Sequence, residues 1–550
     1  MPELNWVGKD KVITHHLDVP YRVLDRQYSY DEHGQHDADN GSQNMIIHGD
    51  NLEALKALLP KYEGKVDCIY IDPPYNTGNE GWIYNDAVND PRIKKWLGEV
   101  VGKEGEDLSR HDKWLCMMYP RLRLLQRLLA PTGAIFISID DNEAANLRLI
   151  CDEIFGLACF VADIAVVNNW KGRSDAKYVA TAHEHLFVYR GSEFVSNGIP
   201  LPEEYLKDYK LEDAVGKYRL LGLRKRGANS RREDRPNLFY PFSYNERTDE
   251  LRVGSPADSS EIEILPHLSD GSEGNWRWGQ ETARARISEL AIKKVRGRDE
   301  YDIYQKDYLD LGGIRRAKPK SVWTGSEFSA EAGTLQVKKI FGRRDFDTPK
   351  PTELIQLCLE QATNKDSIVL DSFAGSGTTA HAVLATNQAD NGSRKFILVE
   401  LGDYANEVTA ERVKRAIEGY GSGKNRIEGT GGDFSFYELG APLLIEGDLN
   451  PDVPLERVRE YVWFTETGQA FSNPTSAHPY FLGRHEDASL FFVYEPDRAT
   501  VLDRDYLASI PPECAAGSYV IYADTCLLSD EELRALNITF KKIPRDITRL

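Results

Sequence analysis

Asp72, Pro73, Pro74 and Tyr75 follow one another at the end of a short apolar run, Val66-Asp67-Cys68-Ile69-Tyr70-Ile71. A run rich in β-branched and aromatic residues reads as a buried strand. The two prolines then stop ladder pairing and stiffen the backbone. The strand end thereby presents a carboxylate, two carbonyls without neighbouring N–H donors, and a tyrosine ring. That set suits an exocyclic base amine, a poor nucleophile because its lone pair is delocalised into the ring. Asp72 and the Pro73 carbonyl can accept its two N–H groups and draw the nitrogen toward a tetrahedral shape, while Tyr75 stacks on the extruded base. Asp and Pro are also ordinary turn residues, so the plain alternative is a strand-terminating turn.

A second constellation lies 300 residues further on. A strand at 367–370 runs into Asp371-Ser372-Phe373-Ala374-Gly375-Ser376-Gly377-Thr378-Thr379, and a helix follows at 380–387. The next strand, 395–399, ends at Glu400. This is the general form of a nucleotide-type cofactor site: the glycines allow close backbone approach and the acid accepts from ribose hydroxyls. The GxGxxG dinucleotide fingerprint is not met cleanly, because Thr379 or Ala380 stands near the third glycine's place. Glu400 and Asp50 each also read as solvated charges at strand ends. Four strand ends carrying Asp50, Asp72, Asp371 and Glu400 make coincidence unattractive. His183-Glu184-His185 places two histidines on one face of a strand, but no third ligand lies nearby in sequence. It is expected to be a strand entry, and no metal is assigned.

The elements that must hold these residues alternate. Strands are expected at 45–49, 66–71, 134–139, 160–167 and 185–189, with helices at 51–59, 113–129 and 141–155 between them. Near-continuous apolar strands alternating with amphipathic helices predict an α/β fold with a doubly wound, mostly parallel sheet. Residues 1–42 are polar and read as an irregular extension, and 76–111 reads as a long polar loop. From 191 to 344 the rhythm stops, and this stretch, with aromatics among polar residues as in Trp276-Arg277-Trp278-Gly279, reads as an inserted target-recognition domain. The rhythm resumes at 345–420, with a helix expected over 404–418. A Gly-rich linker then leads to an acidic α/β region, 432–550, whose last helix carries a capping box at Ser529 and Glu532.

At 550 residues the chain has room for about three domains. No apolar run approaches the ~18 residues of a membrane span. The start, Met1-Pro2-Glu3-Leu4-Asn5-Trp6, shows no signal peptide pattern. Seven scattered cysteines without a Cys-x-x-Cys pair fit a reducing cytoplasm, where the protein is expected, and argue against a disulfide framework. The net charge of −19 is unevenly spread. The run 219–235 (RLLGLRKRGANSRREDR) is strongly basic, and local patches decide polyanion binding. Arg224, Lys225, Arg226, Asn229, Arg231, Arg232 and Arg235 are therefore the expected nucleic-acid contacts.

These residues resemble a known family. Asp72-Pro73-Pro74-Tyr75 is similar to the catalytic motif of amino-group DNA methyltransferases, and Phe373-Ala374-Gly375-Ser376-Gly377 is similar to their S-adenosylmethionine motif. Catalytic motif first, then insert, then cofactor motif resembles the β class, a circular permutation of the methyltransferase sheet. Further stretches, including IIHGDNLEALKALLP, IFISIDDNE, DRPNLFYPF and TPKPTELI, resemble the modification (Mod) subunit of type III restriction systems over residues 1–420. The resemblance implies that Asp72, Pro73, Pro74 and Tyr75 hold the target amine. It implies S-adenosylmethionine as cofactor, bound by Asp50, Lys350, Asp371, Phe373, Ala374, Gly375, Ser376, Gly377, Thr378 and Glu400. Within that set Glu400 would take the ribose hydroxyls, Asp50 the adenine amine, and Lys350 would close the pocket. Ser372 departs from the family's usual proline. The implied activity is adenine-N6 methylation of flipped-out bases in double-stranded DNA, by a homodimer with a restriction (helicase–nuclease) subunit as possible partner. Alternatives are a solitary methyltransferase (adenine-N6 or cytosine-N4), a catalytically silent DNA-recognition subunit, and methylation of RNA or protein.

Overall fold

A computed structural model of the chain describes residues 3–77, 110–172, 178–201, 203–295, 300–310, 315–472, 474 and 478–547. The expected loop at 76–111 lies outside these residues except at its ends. Among the described residues, eleven strands share one sheet: β1 (Arg22–Asp31), β2 (Gly34–His36), β3 (Met45–His48), β4 (Val66–Ile71), β5 (Leu129–Ile139), β6 (Phe160–Val167), β7 (His183–Arg190), β8 (Val322–Trp323), β9 (Ile368–Asp371), β10 (Lys395–Glu400) and β11 (Phe434–Pro442). Their order in space is β8-β6-β7-β5-β4-β9-β10-β3-β11-β1-β2. The centre, from β5 through β4, β9, β10 and β3 to β11, is parallel. β7 runs antiparallel between β5 and β6.

Alternation along β4 sorts the core into two layers. Ile69 and Ile71 face α1 (Asn51–Tyr62), α2 (Arg110–Leu128) and α3 (Ala144–Phe155) through Leu55, Leu59, Trp114, Leu122 and Ile150. Cys68 and Tyr70 face α4 (Thr352–Ala362), α5 (Thr378–Asp390) and α6 (Glu411–Glu418) through Ile355, Leu359, Val383 and Val413. The sheet is thus doubly wound, as the apolar strands imply. The helix after β4 lies on one face and the helix after β9 on the other. These two strands are nonetheless neighbours, with Val369 opposite Cys68 and Leu370 opposite Ile69. Their carboxyl ends form the topological switch point, the crevice where open α/β sheets bind ligands.

Three stretches differ from expectation. Residues 1–42 are not irregular, since β1 and β2 close one edge of the sheet. Tyr28 stacks on Phe436 at 5.2 Å and Tyr30 on Phe434 at 5.6 Å. These partners lie some 400 positions away, so no local pattern announces the strand. Next, β11 begins at the expected start of the acidic C-terminal region yet lies inside the main sheet, between β3 and β1. Beyond it, Ala488–Phe492, Ser518–Ala523 and Ile538–Lys542 form a parallel sheet with Phe481–His485 at its edge. The Ser529–Glu532 capping box is formed there. Finally, the stretch expected as a helix over 404–418 starts with a π-helix, Ala405–Ala410.

The chain forms two compact units, Met1–Asn197 with Lys320–Leu550, and Gly198–Pro319. The second is narrower than the expected 191–344, because β8 and the helix Ala330–Phe341 return to the first unit. It is built of antiparallel strands, including Lys217–Gly222 with Tyr301–Tyr308 and Phe242–Asn245 with Glu250–Val253. Its core holds Leu223, Phe242, Trp276 and Ile303. Among the described residues no helix is long and apolar enough to cross a membrane.

Candidate active site

A cavity of about 560 Å³ opens at the carboxyl ends of β4 and β9. One wall is Asp72, Pro73, Pro74 and Tyr75, and another is Phe373, Ala374, Gly375, Ser376 and Thr378. The two motifs, 300 residues apart in sequence, share one chamber. Each side of the first motif is tied down. The Trp114 indole N–H donates to the Pro74 carbonyl at 2.7 Å. Among the described residues no donor reaches the Pro73 carbonyl. Just beyond, Asn76 adopts a left-handed backbone (φ 57) and its amide donates to the Arg110 carbonyl at 3.2 Å. That leaves the Pro73 oxygen and Asp72 as the acceptors at the strand end.

Lys350 and Glu184 stand beside them. The Lys350 ammonium lies 3.0 Å from Asp72 Oδ1 and 3.2 Å from Glu184 Oε2, and donates to the Tyr75 hydroxyl at 2.6 Å. Tyr75 in turn donates to Glu184 at 3.1 Å, as does the Asn168 amide at 3.3 Å. Burial raises the Asp72 carboxyl and Glu184 adds to this, with Lys350 opposing. Burial works against the charge on Lys350, but the two carboxylates hold its pKa above the ordinary range. Glu184 was not singled out from sequence. Its neighbours were, and in β7 the pleat points His183 and His185 to the face opposite Glu184. His185 bridges Asp163 and Asp141, at 3.0 Å each.

The second wall is a tight turn. Gly377 has φ +80, and a Cβ there would come 2.8 Å from the Thr409 carbonyl. The turn therefore demands glycine. Asp371 accepts from the Phe373 amide at 3.0 Å and from Thr379 Oγ1 at 2.5 Å. Burial first, then Asp72 and Glu400, push its carboxyl up to about 7. Thr378 Oγ1 donates to the Lys350 carbonyl at 3.1 Å and so joins the turn to the TPKP stretch. A further residue missed in the sequence, Arg412, is fully buried and donates to Ser376 and Thr378 at 2.8 and 2.7 Å.

Glu400 and Asp50 are placed close by but do not line the cavity. The Glu400 carboxylate accepts from the Gly375 amide at 2.7 Å, the Gly402 amide at 2.8 Å and the Tyr404 hydroxyl at 2.7 Å. Asp50 caps α1 through the Leu52 amide at 2.7 Å and pairs with buried Arg121 at 3.0 Å. Ser372, in the usual proline's place, accepts from the Asn51 amide at 2.8 Å through its carbonyl. A proline would leave that carbonyl in place.

The basic set lies in the second unit and is not uniform. Arg226, Asn229, Arg231, Arg232 and Arg235 are exposed. Arg224 instead pairs with Asp302 at 2.5 Å and donates to the His267 carbonyl. Arg232 pairs with Glu273 at 2.8 Å. Among the described residues Lys225, Arg226, Arg231 and Arg235 form no ion pair. Trp276, one of the aromatics among the polar residues of this segment, is core: its indole donates to the Tyr240 carbonyl at 2.8 Å.

Comparison with known proteins places this geometry. The DNA methylase family that includes N6 and N4 enzymes matches residues 66–411. The Mod subunit of the type III restriction-modification enzyme EcoPI of Escherichia phage P1 is 35% identical over 74% of this chain and 64% of its own length. The type II methyltransferase M.KpnI of Klebsiella pneumoniae is 38% identical over 66% of this chain and 81% of its own. The EcoP15I Mod subunit of Escherichia coli is 29% identical over 79% and 71%. The matched region spans less than two thirds of the EcoPI subunit.

Proposed function

The chain belongs to the N6/N4 DNA methylase family, and from that premise we propose that it transfers a methyl group from S-adenosylmethionine to adenine N6 in duplex DNA. One observation carries this reading: a single cavity joins the amine-accepting end of β4 to the glycine turn after β9. The lining residues fit the cofactor's methionine end. Asp72 and Glu184 against Lys350 leave the chamber net negative, which favours a sulfonium cation, and Phe373 and Ala374 offer apolar contact. Bound there, S-adenosylmethionine would supply a methyl already activated by positive sulfur. Ribose and adenine contacts from Glu400 and Asp50 would use the acceptor sites that their present partners leave open.

The protein's own part is to accept and aim the amine. Asp72 and the Pro73 carbonyl take its two hydrogens, and Tyr75 stacks on the base. Holding two reactants in line contributes up to ~7–11 kcal/mol in favourable cases. The base must leave the duplex first, at a cost of a few kcal/mol. Arg226, Arg231 and Arg235 would meet phosphates. Residues 43–190 with 345–420 are read as the methyltransferase domain and the insert as target recognition.

The test is nucleoside analysis of DNA incubated with the protein and S-adenosylmethionine. N6-methyladenine is expected, and it should vanish with Asp72→Ala while DNA binding survives. N4-methylcytosine as sole product would overturn the adenine assignment, and full transfer by the variant would remove Asp72 from the mechanism. The similarity to Mod subunits further supports a modification subunit of a type III system. Such a subunit would be homodimeric and associate with a restriction subunit. A monomer in light scattering, with and without DNA, would rule out the dimer.

A further inference from the structure

Glu184 is almost fully buried and lines the cavity, and so far it enters only as part of the cavity's negative charge. We propose that Glu184 is a positioning residue for methyl transfer: it takes the charge of Lys350 and the Tyr75 hydroxyl proton, leaving Asp72 to accept the target amine. The inference rests on the methyltransferase reading of the same cavity.

An ammonium has three N–H groups and no acceptor. Lys350 donates to Glu184 and the Tyr75 oxygen, at 3.2 and 2.6 Å, and its ammonium faces Asp72 Oδ1 as an ion pair at 3.0 Å. An amine entering the site must donate to Asp72 and so competes with Lys350. A buried ammonium left without a counter-charge is costly. With Glu184 present, Lys350 keeps a carboxylate partner when Asp72 turns to the amine. Without it, Asp72 is the ammonium's sole carboxylate, and the amine must share that carboxylate with a full counter-charge. Glu184 also receives the Tyr75 hydroxyl, with Asn168 steadying the same oxygen. The phenol is thereby pinned at its far end, and the ring is held for stacking.

Glu184→Gln keeps the size and an acceptor for Tyr75 but removes the charge. Methylation of plasmid DNA should then show kcat/KM reduced at least tenfold. The acid limb of the pH–rate profile should move to lower pH, because a negative neighbour that raises the Asp72 carboxyl is gone while Asp371, Tyr75 and Lys350, which also face Asp72, are unchanged. Glu184→Asp keeps the charge and should leave that limb in place. In a Lys350→Met background, Glu184→Gln should have less than a twofold effect. A readout independent of turnover is acylation of Lys350 at pH 9, followed by peptide mass spectrometry. It should rise several-fold in Glu184→Gln, since one of two counter-charges is lost. An unmoved acid limb, additive losses in the double variant, or unchanged Lys350 reactivity would each overturn the proposal. Wild-type protein without methyl transfer would instead overturn the reading it rests on.

Discussion

Replacing Asp371 by Asn should remove one large contribution to the pH dependence of the fold's stability. Asp371 closes β9, is only 3% exposed, and accepts two hydrogen bonds, from the Phe373 amide and the Thr379 hydroxyl. Two such bonds favour the ionised form, yet burial and the nearby Asp72 and Glu400 outweigh them. The carboxyl titrates at about 7 in the fold, against 3.8 in an unfolded chain. Between those values the folded state holds a proton that the unfolded state has released. Stability therefore falls as pH rises, by ~1.4 kcal/mol per pH unit and ~4 kcal/mol in all. Asn cannot ionise and keeps an oxygen for Phe373.

The variant's stability relative to wild type should accordingly climb by ~2–3 kcal/mol from pH 5 to pH 7 and level off above it. Urea unfolding of both proteins at fixed ionic strength, in half-unit pH steps, measures this difference. Groups that titrate alike in both proteins cancel. A difference flat to within ~0.5 kcal/mol from pH 5 to 8 would refute the reasoning, since Asp371 would then be ionised throughout. The same group reports on the cavity. A cation bound beside it should expel its proton, so the heat of S-adenosylmethionine binding near pH 6.5 should depend on the buffer's ionisation enthalpy.

Other changes have definite expected outcomes. Arg121→Met removes the buried donor to Asn51 and to the partly exposed Asp50 at the start of α1 and should cost ~1–3 kcal/mol in urea unfolding, the range for a buried acceptor left unsatisfied. Arg226→Ala with Arg235→Ala should weaken duplex binding and lower the slope of log affinity against log salt by about two, one per phosphate contact. Arg224→Ala should act through the stability of the second unit, because its guanidinium is held by Asp302 and the His267 carbonyl. Truncation after Gly432 removes β11 and bares the edge of β3; unfolded or aggregated protein is expected by circular dichroism and light scattering, whereas a cut after Pro442 spares the sheet.

What the sequence disclosed follows the range of the interactions. The central strands and both motif turns were legible because their signals are local: β4 is one apolar run stopped by prolines, and the turn after β9 needs glycine at Gly377 for reasons within forty residues. Side chains whose meaning depends on distant partners were misjudged or overlooked. The run 219–235 reads as one basic surface, but Asp302 withdraws Arg224 from it, 78 positions away. Trp276 reads as a recognition aromatic and is instead the centre of a small core. Asp50 and Glu400 were assigned by resemblance, while in the structure a helix cap and backbone amides already occupy them. Glu184 shows the limit best. Strand periodicity could separate it from His183 and His185, but nothing near it in sequence says which face meets the cavity. That is decided by β7 pairing with β5 and by Lys350 arriving 166 positions later. A buried acid between two motif residues acquires its chemical role only when the sheet order brings its counter-charge to it.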